Sequence, residues 1–166
     1  MLTTTQLELL HHPFSLTEKL RSLATRELEL KLLHANWHLP TPEIAALLQT
    51  NTSEQFCWMR EIIFVHHQAI WEWAQTWVTA SALIKHPELK YLGNNPLGAI
   101  LFKENSKFTR TQFDILQIDP QDPLVSIIQN YITTADDCYW LRRSVFNEGT
   151  QPQLIIFEAL NLEEIN

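Results

Sequence analysis

Two charged residues stand inside apolar runs that a chain of this size has to bury. Arg60 interrupts Phe56-Cys57-Trp58-Met59-Arg60-Glu61-Ile62-Ile63-Phe64-Val65, and Glu158 interrupts Leu154-Ile155-Ile156-Phe157-Glu158-Ala159-Leu160. Both runs are short, rich in β-branched and aromatic residues, and bounded by polar turn residues, which is the pattern of strands. Apolar side chains at odd and even positions alike imply a strand covered on both faces. A charge in such a strand loses its water, and this is costly unless the charge is paired or meets a ligand. One buried arginine and one buried glutamate, far apart in sequence, point to a closed pocket for a small anion that also carries a hydroxyl. On pattern alone, a structural ion pair at Arg60 and an outward-pointing Glu158 on an edge strand remain the alternatives.

Composition narrows the classes. The chain has 166 residues, 45% of them hydrophobic, enough for one domain with a proper core and short for two. A net charge of -7 argues against nucleic acid and anionic membrane surfaces as partners, so an anionic ligand has to be held by local positive charge. No apolar run reaches the length of a membrane span, so no membrane insertion is expected. The start, Met1-Leu2-Thr3-Thr4-Thr5, lacks the basic and apolar stretches of an export signal, which predicts a cytoplasmic protein; a monomer is expected. Cys57 and Cys138 are then read as reduced core thiols.

The pattern predicts alternating helices and hairpins. Ser15-x-x-Glu18 reads as a capping box opening a helix with Leu16, Leu20 and Leu23 on one side. Glu27 to Leu32 alternates as a strand with one wet face, and Thr41-Pro42 starts a short helix through Ile44 and Leu48. The Arg60 strand and a strand from Ile70 to Val78, joined at His66-His67-Gln68, form a hairpin that puts Trp71, Trp73 and Trp77 on one face. Helices are expected over Ser81–Leu89 and Pro96–Phe102, the latter capped by Asn95, and a strand over Phe108–Ile118. Asp122-Pro123 starts a short helix through Tyr131, inside a long Asp119–Asp137 connection. Tyr139–Phe146, the turn Asn147-Glu148-Gly149 and Gln153–Leu160 close with a hairpin. The sum is an α+β domain over residues 1–166, an antiparallel sheet of about six strands flanked by helices.

Residues in this order resemble a known family. Trp58-Met59-Arg60-Glu61-Ile62 with Trp71 and Thr76, Leu92-Gly93 followed by Pro96-Leu97-Gly98 and Leu101-Phe102, then Thr109-Arg110, Arg142-Arg143-Ser144 and Phe157-Glu158, resemble the chorismate–pyruvate lyases, or 4-hydroxybenzoate synthases. Ser15-Leu16-Thr17 resembles a matching N-terminal segment. The resemblance implies a ligand sealed beneath two helical flaps, and conversion of chorismate into 4-hydroxybenzoate and pyruvate, toward ubiquinone, without metal or organic cofactor. It implies that Arg60 grips the ring carboxylate, that Glu158 meets the 4-oxygen, and that the backbones of Leu16 and Leu97 touch the ligand from the flaps. A guanidinium suits the first role because its two parallel donors match a carboxylate. Gln75 stands where the family usually carries an arginine, and Arg142 or Arg143 is the expected substitute.

His11-His12 and His66-His67 are adjacent pairs whose side chains diverge, so no metal site is expected. The tryptophan stripe reads as core, and Arg142-Arg143 puts one arginine on each strand face. There is no Gly-rich phosphate loop and no nucleophile elbow. A rival of another class is a non-catalytic domain that binds small carboxylates, related to the effector domains of bacterial transcription regulators.

Overall fold

The computed structural model describes residues 2–50, 55–135 and 138–165; Asp136 and Asp137, at the end of the expected long connection, lie outside the described residues. Six strands form one antiparallel sheet: β1 (Glu29–His38), β2 (Cys57–His66), β3 (Ala69–Thr79), β4 (Thr109–Ile118), β5 (Tyr139–Glu148) and β6 (Gln151–Leu160). Their spatial order is β1-β2-β3-β6-β5-β4, so the two long hairpins meet where β3 pairs with β6 at the centre. The Arg60 and Glu158 runs are thus interior strands, each hydrogen-bonded on both sides.

Alternation divides the core between the two sheet faces. One face carries Met59, Ile63, Trp73, Trp77, Leu141, Val145, Ile155 and Phe157, packed under α3 (Pro42–Leu48) and α6 (Pro123–Ile128). Thr41 caps α3 by accepting from the Ile44 N–H, and Asp122 caps α6 by accepting from the Leu124 N–H. The opposite face carries two separate clusters. Ile62, Phe64, Trp71, Ala74 and Leu160 pack against α1 (Thr4–Leu10) and α2 (Leu16–Leu23). Trp58, Val78, Phe146 and Leu154 pack against α4 (Ala80–Lys85), a 3-10 turn at Pro87–Leu89, and α5 (Gly98–Leu101).

Several expectations are corrected in detail. Trp71 does not join Trp73 and Trp77: a bulge opposite the Phe64–Val65 step makes Trp71 the extra residue of β3 and turns it to the other face. The Ser81–Leu89 helix ends at Lys85, because Pro87 disfavours helical geometry at His86, which sits at φ -131 and ψ 68. Asn95 does not cap its helix, which starts only at Gly98 without a side-chain cap; its side chain donates instead to the Leu92 carbonyl. The Asp122 helix stops at Ile128, short of Tyr131, and β1 begins later and runs farther than Glu27–Leu32. The terminal strands extend to Glu148 and from Gln151, leaving Gly149-Thr150 as the turn, with Gly149 at φ +61. Helix α1 is an addition, opened by Thr3 and Gln6 as a reciprocal capping box. Cys57 is core, and burial pushes its thiol up to about 11, whereas Cys138 is half-buried and accepts from Gln117 Nε2. No helix among the described residues is long and apolar enough to cross a membrane.

Candidate active site

Between the two clusters of the α2/α5 face lies a seam, and the charged residues fall in it. The register makes this inevitable. Arg60 lies opposite Thr76, and Thr76 opposite Ile156; the next row of the same face runs Ile62, Ala74, Glu158, Arg142. One step farther, Glu72 sits between Phe64 and Leu160. Ala74, the smallest side chain in these rows, leaves space between Ile62 and Glu158. Arg60 and Glu158 are two strand spacings and two residues apart, so their Cα atoms stand roughly 12 Å from each other.

Ser15, Leu16 and Thr17 at the start of α2, and Pro96, Leu97 and Gly98 at the start of α5, close the cleft from above. Leu16 and Leu97 are both buried there. Leu16 is the first residue of α2, so its N–H has no partner within the helix. The flaps meet closely: a Cβ on Gly98 would lie 2.8 Å from Ser15 Oγ, the oxygen that caps α2 through the Glu18 N–H. Two arginines anchor the approach to α2, Arg142 Nη2 donating to the His12 carbonyl at 3.0 Å and Arg110 Nη2 to the Pro13 carbonyl. The free volume of the cleft is about 40 Å³. An engineered cavity that takes up benzene has roughly 150 Å³, so a ring-sized ligand enters only when the flaps move apart.

Arg60 is 4% exposed, and among the described residues no carboxylate lies within ion-pair distance of it. Its Nη2 donates to the carbonyls of Gly93 at 2.8 Å and Asn95 at 2.9 Å, and its Nε is buried without a partner. Gly93 at φ +55 lets the chain turn tightly enough to present both carbonyls. Burial pushes the guanidinium down to about 10, which leaves it charged at neutral pH. A desolvated cation held only by neutral carbonyls keeps the capacity to pair with an anion.

At the other end, Glu158 Oε2 lies 3.5 Å from Arg142 Nε, and Arg142 is 1% exposed. Glu72 lies 2% exposed with Oε2 unpartnered. Burial first, and the Glu158 carboxylate second, hold the Glu72 carboxyl well above its ordinary range, against the opposing pull of Arg142. Glu72 thus stands beside the Glu158–Arg142 ion pair with its proton affinity raised.

All four residues expected in the site, Arg60, Glu158, Leu16 and Leu97, line this one cleft. Sequence reasoning missed Glu72, and left Arg142 and Arg143 undivided. The structure separates them: Arg142 faces the cleft side, while Arg143 faces α3 and pairs with Asp114 and Glu43. Gln75 lies on the α3/α6 face too, donating to Glu61 and accepting from Trp77 Nε1, so it does not line the cleft. His66 Nε2 accepts from the Arg26 N–H, a structural use.

The six-stranded antiparallel sheet with helices on both faces defines the class of fold, that of the effector-binding domains of bacterial regulators. Solved structures of the same fold are the trehalose repressor effector binding domain from B. subtilis (12% identity, TM-score 0.63, covering 83% of this chain and 93% of that one) and the possible transcriptional regulator YydK from Bacillus subtilis (15% identity, TM-score 0.56). The YydK match covers 87% of this chain and 61% of the longer one; at such identities the likeness concerns fold alone. Sequence decides the family. The chain belongs to the chorismate lyase family, whose family model matches residues 2–161. Curated relatives include a protein named probable chorismate pyruvate-lyase from Coxiella burnetii, 29% identical over 147 residues that make up 88% of this chain and 77% of that one. A protein of the same name from Pseudomonas fluorescens is 30% identical over 143 residues, 85% of this chain and 71% of that one. Membership places the chain among lyases.

Proposed function

We propose that this protein cleaves chorismate to 4-hydroxybenzoate and pyruvate in the cleft between α2 and α5. The observation that carries the reading is Arg60, a buried cation whose hydrogen bonds all go to neutral carbonyls and whose Nε has no partner. The ring carboxylate of chorismate supplies the missing charge, with the backbone at Leu16 and Leu97 contacting it and the pocket wall from the flaps. The opposite ring edge then lies toward Glu158, whose carboxylate accepts the 4-hydroxyl.

In this reaction the bond from ring C3 to the ether oxygen breaks and the hydrogen on C4 is lost, making the ring aromatic. The departing enolpyruvate takes up a proton at its methylene carbon and becomes pyruvate. Atoms and electrons balance within the substrate, so the protein's task is to hold one reactive conformer and to support the charge that develops. Correct positioning is worth roughly 7–11 kcal/mol of barrier, and proton transfer or charge stabilisation at Glu158 adds about 10²–10⁴-fold. Flap closure excludes water and makes release of the product slow. The product is an entry compound for ubiquinone synthesis.

The test is turnover. With chorismate as substrate, pyruvate is followed through a coupled dehydrogenase and 4-hydroxybenzoate by its ultraviolet absorption, for the wild type, Arg60→Met and Glu158→Gln. Equimolar products that disappear in both variants support the proposal. Binding of 4-hydroxybenzoate without turnover by the wild type favours the effector-type, non-catalytic reading instead.

A further inference from the structure

Glu72 has no part in the roles given to Arg60 and Glu158, and packing alone does not account for it. Phe64 and Leu160 flank it in the sheet, and its side chain lines the cleft at 2% exposure. An apolar side chain would fill this space without leaving a buried oxygen unsatisfied, which Glu72 Oε2 is. The nearby cation is already engaged: Arg142 Nε faces Glu158 Oε2 at 3.5 Å and Arg142 Nη2 donates to the His12 carbonyl. Glu72 and Glu158 stand on neighbouring strands, one diagonal step apart, since Glu72 pairs with Leu160 and Glu158 with Ala74. Two carboxyls this close in a dry cleft do not both ionise, and the one with the arginine keeps the charge. The raised proton affinity of Glu72 agrees with that division.

We propose that Glu72 is the hydrogen-bond donor of the cleft's oxygen-recognising end, its carboxylic O–H directed at the ring oxygen whose own proton Glu158 accepts. A hydroxyl both donates and accepts, so a carboxylate and a carboxylic acid side by side satisfy it completely, whereas a carboxylate pair would repel an oxygen lone pair. The pair makes the cleft selective for ring acids with a hydroxyl opposite the carboxylate, over the same acid without it. Such recognition holds the 4-hydroxyl of substrate and product alike, because that oxygen is retained in the reaction. The inference rests on the proposed function for the identity of the ligand.

The experiment is calorimetric titration of 4-hydroxybenzoate and of benzoate into the wild type, Glu72→Leu and Glu72→Gln at neutral pH. The wild type is expected to favour 4-hydroxybenzoate at least about tenfold. In Glu72→Leu that ratio falls about tenfold while benzoate binds as well or better; in Glu72→Gln most of it remains, since the amide N–H also donates. An unchanged ratio in Glu72→Leu overturns the inference while leaving the proposed function standing. Failure of the wild type to bind either acid overturns both. Should Glu72→Leu fail to fold, infrared difference spectroscopy decides: a protonated-carboxyl band present in the wild type and lost in Glu72→Gln supports the donor, and no such band in the wild type removes it.

Discussion

Replacing Arg60 with methionine separates a ligand-holding charge from a structural one, and the structure gives the size of both effects. Burial lowers this guanidinium from its ordinary value to about 10, and with about 1.4 kcal/mol for each tenfold step the charge costs the ligand-free fold roughly 3 kcal/mol. Methionine removes that cost and keeps much of the side-chain volume. It also forfeits the hydrogen bonds to the Gly93 and Asn95 carbonyls, each worth about 1.5–3 kcal/mol with a charged donor. The terms largely offset one another, so denaturant unfolding of ligand-free Arg60→Met is expected within about 3 kcal/mol of the wild type. Binding behaves differently. Removing the cation leaves a ligand carboxylate buried without its partner, at about 3–5 kcal/mol, or roughly 10²- to 10⁴-fold in affinity for 4-hydroxybenzoate by calorimetry. A variant destabilised by more than about 3 kcal/mol, with affinity within about threefold of the wild type, would refute the reasoning and make Arg60 a structural residue.

Three further expectations follow from the same cleft. Glu158→Gln is isosteric, so 4-hydroxybenzoate affinity drops less than about tenfold while chorismate turnover in the coupled assay drops at least about 10²-fold; equal losses in both would make Glu158 a binding group only. Gly98→Ala pushes a methyl against Ser15 Oγ, 2.8 Å away, and disturbs the α2 cap. Its cost is about 1 kcal/mol in melting experiments, with faster product dissociation in stopped flow; unaltered dissociation would mean that the two flaps do not close as a unit. Glu72→Gln tests pH dependence. The native state holds this proton while the unfolded chain releases it above about 4.5, so fewer protons are bound on unfolding and stability falls as pH rises. The slope is about 1.4 kcal/mol per pH unit from there up to the folded value, and absent below. Glu72→Gln removes it, so the variant gains on the wild type with each step toward alkaline pH; parallel stability curves would show Glu72 ionised in the fold.

Much of the sheet is legible because interior strands need apolar residues on both faces, and Arg60 and Glu158 stand out against that background. What the sequence hides is face assignment near bulges. Trp71, Trp73 and Trp77 share a period of two, yet one extra residue opposite the Phe64–Val65 step sends Trp71 to the α2 side. Glu72 escaped notice for a related reason. Between Trp71 and Trp73 a glutamate looks like the wet face of a half-buried strand, and only the helices that cover both faces make it buried. Arg142 and Arg143 are equivalent as letters; which of them faces the cleft depends on the pairing of Arg142 with Glu158 rather than on local pattern. The flaps were legible only through Ser15 and Asn95-Pro96, and there the chain uses Asn95 to build the Arg60 carbonyl cradle instead of a helix cap.

Where a product molecule sits tests the roles of Arg60, Glu158 and Glu72 most directly. A crystal structure with 4-hydroxybenzoate is expected to place its carboxylate on Arg60 beneath Leu16 and Leu97, and its hydroxyl between Glu158 and Glu72, with α2 and α5 moved apart enough to enclose the ring. A ligand bound elsewhere, with Arg60 still held only by the Gly93 and Asn95 carbonyls, would contradict these roles.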